Sequence, residues 1–295
     1  MSLYRAYGLD IESGRALPLR PSPSGATPDL TIAYADRAPA ERPSGPDRRE
    51  LRVTGAGWTL RYDNREGGWA FDYSARDRRL LASGSVEPEA FEGPLSGLVF
   101  GVLLRLTGAT LLHAACLGFG DRSAAILGAS GHGKSTLAGA SIARGAAAVT
   151  EDLLRLRRGR DGFLAEPGAP TLHLLADAHR HLAAHLPDGA ASPGGKVRLL
   201  LGGETAPIRL AALYVLEPPE PGRETSLERL AGPTAIGALT EHLYGSRWIR
   251  PAGDEDLALC ARVAREVPVF ALSRPWALEG LLATADLVRS HVLDL

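Results

Sequence analysis

Residues 1–90 alternate apolar and polar positions in short runs, "LTIAYAD", "LRVTGAGWTLRYDN", "WAFDYSA" and "RLLASGSV", separated by Gly, Asn and Asp. A period of two broken by turn residues predicts a small, largely antiparallel β domain. The intervening "RAPAERPSGPDRRE" is polar and proline-rich, which predicts a surface loop. In "EPEAFEGPLSGLVFGVLLRLTG" the period lengthens to that of a helix, with Leu95, Leu98, Val99, Val102, Leu103 and Leu106 on or near one face. The junction between a β-rich domain (1–90) and a second domain (91–295) is expected near this helix.

From Leu111 the pattern predicts an α/β unit. "TLLHAACLGFG" reads as a strand, "DR" as a tight turn and "SAAILGA" as a second strand; "KSTLAGASIARG" reads as a helix closed by Gly145. "AAAVTED" is a strand with an acidic pair at its end, and "LLRLRRG" begins another. "PIRLAALYVLEP" and "VPVFALSR" read as further buried strands. Helices are predicted over "LLADAHRHLAAHL", "PTAIGALTEHLYG", "EDLALCARVAREV" and "ALEGLLATADLVRSHVLD". There is no internal repeat.

Composition narrows the classes of function. The 295 residues are 45% hydrophobic and 23% charged, with net charge −1. That balance offers no basic face for nucleic acid. The first residues have no apolar h-region, and the longest apolar stretch is interrupted by Arg105 and His113, so neither a signal peptide nor a membrane span is expected. Cys116 and Cys260 lie far apart in apolar surroundings with no CxxC, as in reduced core residues of a cytoplasmic protein.

The sharpest chemical signal is "GASGHGKS", which matches G-x-x-x-x-G-K-[ST] over Gly128, Ala129, Ser130, Gly131, His132, Gly133, Lys134 and Ser135, with Thr136 following. It stands between an apolar strand and an alanine-rich helix. Glycines let such a loop curl so that backbone N–H groups face an anion, and the helix start adds its positive dipole end. Lys134 is placed for the β- and γ-phosphates of a nucleotide, and the Ser135 hydroxyl for Mg²⁺.

Thr150, Glu151 and Asp152 carry the second signal. A helix of roughly ten residues after Lys134 rises about 15 Å, and a strand of about five residues at roughly 3.3 Å each returns a similar distance. The two carboxylates therefore come back to the level of the loop. There one can serve Mg²⁺ and the other take a proton from an acceptor hydroxyl, although strand alternation can turn them to opposite sides. His113 precedes the loop by a hairpin and can project beside the phosphates; a lone strand histidine is otherwise a core residue.

The combination of "LHA", a hairpin, "GASGHGKST", a helix ending "RGA" and then "VTED" resembles the HPr kinase/phosphorylase superfamily, and within it the HPr-kinase-related proteins that include lasso-peptide tailoring kinases. The likeness is specific over Leu111 to Leu156 and continues weakly through "EPGAPTLHLLADA". It implies a P-loop kinase domain of the HPr kinase C-terminal type behind a smaller β-rich domain, using ATP and Mg²⁺. It also implies an active-site role for His113, a base at Glu151 and a metal-side acid at Asp152. The usual pair in that family is Asp-Asp, from which Glu151 departs. No equivalent of the segment that holds HPr is visible, so the resemblance implies phosphoryl transfer without implying HPr as acceptor.

Two further features are candidates. Lys196 and Arg198 in "KVRLLL", after the flexible "PDGAASPGG", are placed to close over the nucleotide or meet an acidic peptide, the alternative being a solvated strand face. Arg247 and Arg250 around Trp248 in "YGSRWIRP" offer a phosphate contact, the alternative being packing over an aromatic surface. The leading expectation is a cytoplasmic kinase acting on a Ser or Thr hydroxyl of a peptide or small protein, with the C-terminal residue of a lasso-type precursor peptide as the acceptor suggested by the resemblance. No nucleic-acid or membrane partner is expected, and a homo-oligomer stays open. The alternatives are a nucleotide-hydrolysing switch, a small-molecule kinase, and a binding module that has kept the fold. GTP or pyrophosphate as donor also stays open.

Overall fold

The computed structural model describes residues 1–35, 49–64, 67–84, 94–192, 195–218, 220 and 222–295. They divide into two units, Met1–Leu103 and Leu104–Leu295. The boundary falls inside helix α1 (Phe100–Leu106), which follows one π-helical turn at Leu95–Val99. Most of the proline-rich loop read from the sequence, residues 36–48, lies outside the described residues.

The first unit is a single eight-stranded sheet. Its strands are β1 (Ser2–Ala6), β2 (Leu9–Ser13), β3 (Arg20–Pro21), β4 (Leu30–Ala35), β5 (Arg49–Thr54), β6 (Gly57–Asn64), β7 (Gly67–Ser74) and β8 (Arg79–Gly84), in the order β3-β1-β2-β4-β8-β7-β6-β5. Neighbours run antiparallel except at the β2–β4 and β4–β8 joins. The β1–β2 hairpin, which the sequence pattern did not single out, turns through Tyr7 and Gly8, both with positive φ. Ile11, Leu30, Ile32, Leu60, Phe71 and Leu80 are buried, and the Tyr7 ring lies 5.7 Å from that of Phe100.

The second unit is mixed α/β. Its strands are β9 (Leu111–Leu112), β10 (Ala114–Phe119), β11 (Arg122–Leu127), β12 (Ala147–Thr150), β13 (Leu154–Gly159), β14 (Gly162–Ala165), β15 (Thr171–Leu175), β16 (Ala190–Ser192), β17 (Lys196–Leu200), β18 (Ile208–Leu216), β19 (Ser226–Leu230) and β20 (Val269–Ser273). The large sheet runs β12-β10-β11-β18-β14-β13-β9, with β20 also paired to β18 and β19 to β20; β15, β17 and β16 form a separate small sheet. The helices are α2 (Lys134–Ala143), α3 (Ala176–Leu182), α4 (Gly232–Glu241), α5 (Asp254–Glu266) and α6 (Leu281–Asp294).

Both faces of the large sheet are covered, which explains why its central strands read as continuous apolar runs. Ala115, Leu117, Ala124 and Ile126 pack on one side with residues of α2, α3 and α6. Ala114, Cys116, Ala125 and Leu127 pack on the other with residues of α4 and α5. Cys116 and Cys260 are buried and free, and burial pushes the Cys116 thiol up to about 12. The helix predicted over "LLADAHRHLAAHL" is shorter in the structure at both ends: Leu174 and Leu175 are taken into the β15–β17 ladder, and the helix stops at Leu182. No helix among the described residues is long and apolar enough to cross a membrane.

A buried ionic knot fixes α5. Arg105 and Asp256 are both fully buried and paired at 2.6 Å, with Thr110 donating to the same carboxylate at 2.7 Å and Arg250 at 3.2 Å. Arg250 is thereby committed to structure rather than to the glycine loop, and Arg247 is exposed.

Candidate active site

Strand direction brings the candidate residues to one edge. β10 runs antiparallel to both β11 and β12, so its start lies level with their ends. The register pairs Ala114 with Leu127 and Cys116 with Thr150. His113 therefore flanks Gly128, and Glu151 and Asp152 leave β12 beside it. β18 and β20 run parallel in line with β11, so their carboxyl ends, where open α/β sheets place ligands, reach the same edge.

The loop between β11 and α2 has the conformation that its glycines permit. Gly131 and Gly133 both have φ +85. At Gly133 space also matters: a Cβ there would collide with the Arg274 guanidinium. Lys134 is buried, and its Nζ donates to the carbonyls of Gly128 at 2.8 Å and Ala129 at 3.4 Å, so the ammonium lies within the curl. Burial pushes its pKa down; Asp152 and Glu151 oppose this, and Lys196 on β17 adds to it.

The two carboxylates have different surroundings. Glu151 is buried at 7% side-chain exposure. It accepts from the Ser135 hydroxyl at 2.8 Å, from the His173 backbone N–H at 3.0 Å, and has His173 Nδ1 at 2.9 Å. A carboxylate only accepts, so Nδ1 of His173 is the donor in the last contact. Asp152 is 52% exposed, with Oδ1 4.0 Å from His113 Nε2. Its φ of +61 is uncommon for a non-glycine residue. The Leu153 N–H donates to the Glu151 carbonyl at 2.7 Å across it, closing a three-residue turn. That turn points adjacent carboxylates in different directions.

His113 interrupts the β9–β10 run and donates its backbone N–H to the His242 carbonyl at 2.8 Å. Its ring stacks on Tyr244 with centroids 6.1 Å apart. Burial and the Lys134 charge push its pKa down, while Asp152 pulls it up. Burial thus favours the uncharged imidazole over the charged one at this position.

Three participants were not singled out from the sequence. His173 sits in "TLHLL", where only its partner reveals it. Tyr244 follows α4 and reaches His113 through the long-range pairing of Tyr244 N–H to the Leu111 carbonyl at 2.8 Å. Arg274 was read merely as the end of a strand. It is 7% exposed and donates to the His132 carbonyl at 3.0 Å, holding the glycine loop from the end of β20. A charged residue at the carboxyl end of a central strand was the available signal.

The oxygen set fits Mg²⁺. Ser135 Oγ and Glu151 Oε1 are hard oxygen donors side by side. Mg²⁺ takes such oxygen ligands together with waters and substrate phosphates.

No protein-family model matches the chain, and comparison with curated proteins found no match. Among solved structures, the Hpr(Ser) kinase/phosphatase from Coxiella burnetii is similar at 14% identity, over 62% of this chain and 97% of that one, with a TM-score of 0.33. A likeness that distant says nothing about what this chain binds.

Proposed function

We propose that the chain is an ATP- and Mg²⁺-dependent kinase of the P-loop, HPr-kinase-like type that phosphorylates a Ser or Thr hydroxyl on a peptide or small protein. The observation that carries this reading is the convergence at one sheet edge. Lys134 lies in the glycine curl, Ser135 touches Glu151 at 2.8 Å, and Asp152 and His113 stand beside them. In this reading the loop N–H groups and Lys134 bind the phosphates, and Ser135 and Glu151 hold Mg²⁺. That ion, when bound, neutralises charge on the transferring phosphoryl group.

The geometry favours an exchange of the roles that the sequence suggested for the acidic pair. Glu151 already satisfies Ser135 and His173, which leaves little of it open to an incoming hydroxyl. Asp152 is exposed and free to approach an acceptor, with His113 and Tyr244 behind it. We therefore assign proton removal to Asp152 and the metal side to Glu151. The acceptor we favour is the C-terminal residue of a lasso-type precursor peptide, which rests on the sequence resemblance alone.

Intact-mass analysis of candidate peptides after incubation with ATP and Mg²⁺ tests the reading. Gain of one phosphate on a hydroxyl residue supports it. ATP turnover that proceeds equally without any acceptor would point to the hydrolase alternative.

A further inference from the structure

Beside the glycine loop lies a cavity of about 250 Å³ lined by Thr136, Leu175, Asp177, Arg274, Trp276 and Leu278. We propose that it seats the purine base of the nucleotide, stacked on the Trp276 indole, with Asp177 accepting from the exocyclic amine. This rests on the kinase reading and adds to it the recognition of the donor.

Continuity with the loop is the first argument. Thr136 follows Ser135 directly, and Arg274 both lines the cavity and donates to the His132 carbonyl. A molecule with its phosphates in the curl therefore has its next group at this opening. Direction is the second. Lys134 and Ser135 turn towards Gly128 and Glu151, the side where His113 and Asp152 stand, and none of these residues lines the cavity. The residues at the reacting end are thus distinct from those that line the cavity, as a nucleotide's separate terminal phosphate and base require.

Chemistry is the third. Trp276 is 52% exposed and Leu175 51%, large apolar surfaces left in contact with water. A flat heterocycle covers an indole face and an apolar floor well. The Arg274 guanidinium carbon lies 5.7 Å from the Trp276 ring centroid, which orients that indole. Asp177, in the first turn of α3, offers only acceptors and so suits amine hydrogens. The volume, just below the roughly 300–1,000 Å³ of pockets that enclose a whole drug-sized ligand, leaves room for a single heterocycle.

The test compares binding of Mg²⁺-ATP and inorganic tripolyphosphate to the full chain by calorimetry. Trp276→Ala should weaken ATP roughly 5- to 150-fold, the range for loss of one base–aromatic stack, and leave tripolyphosphate unchanged. Trp276→Phe should restore most of the loss, and Asp177→Ala should weaken ATP alone. Equal loss of both ligands in Trp276→Ala, or no loss of either, overturns the base seat while leaving the kinase reading intact. A wild-type chain that binds neither ligand overturns both.

Discussion

The hydroxyl of Ser135, in the first turn of α2, donates to Glu151 Oε1 at 2.8 Å, while the adjacent Asp152 faces His113 from a left-handed turn. In the proposed kinase reading the two neighbouring acids therefore take separate tasks. Asp152→Asn is expected to slow the chemical step by about 10²–10⁴, the usual worth of general-base help, with nucleotide affinity retained. Glu151→Gln should instead raise the Mg²⁺ concentration needed for activity. Single-turnover rates and Mg²⁺ titrations of both variants decide the assignment, and the opposite pattern would restore the sequence-based one.

Lys134→Ala should reduce phosphoryl transfer by about 10²-fold or more, by analogy with removal of one preorganised electrostatic donor. The chain should still melt cooperatively, because the lysine's partners are loop carbonyls and not core groups. Steady-state rates together with thermal melts check this; near-normal turnover would sink the kinase reading.

Gly133→Ala combines two costs. The left-handed conformation penalises an L-residue by roughly 1–2 kcal/mol, and the new methyl collides with Arg274. Nucleotide binding and stability should both fall. In an Arg274→Ala background the collision disappears and only the conformational part should remain, so a double-mutant cycle by denaturant melts should show non-additivity.

Asp256→Ala should destabilise the second unit by about 3–5 kcal/mol, because it strands a buried Arg105 without its counter-charge. Burial opposes ionisation of Asp256, yet the Arg105, Thr110 and Gly253 hydrogen bonds outweigh it and hold the carboxyl near 2. The charge of the pair therefore persists through the mildly acidic range. Urea denaturation of wild type and variant measures the difference.

His242 predicts the acid limit. Burial pushes its pKa from 6.5 to about 4, with Lys134, His113 and His132 adding to the shift and Glu241 opposing it. The unfolded chain thus takes up a proton below pH 6.5 that the folded chain refuses until about pH 4. Stability is whole above pH 6.5 and declines as pH falls towards 4, by on the order of 3 kcal/mol for this residue. His242→Gln should flatten that part of the stability–pH curve, measured by melts at successive pH values.

Much of this arrangement was legible in the chain itself. The order of strand, glycine loop, helix and strand around Lys134 follows from local periodicity. The matched rise of α2 and return of β12 carries Glu151 and Asp152 to the loop without any long-range contact. The α/β character of the second unit was legible for the same reason, since strands buried on both faces lose their polar alternation. What the sequence left open was direction and distant company. Which acid meets Ser135 depends on the left-handed turn at Asp152, a single backbone angle that no spacing encodes. Arg274 lies 142 residues from the His132 carbonyl it holds, and His173 lies 22 from Glu151. Local pattern reports which face of an element is buried, because burial repeats with the element's period. A single polar contact between two elements repeats with nothing, so only the packed sheet edge decided those partners.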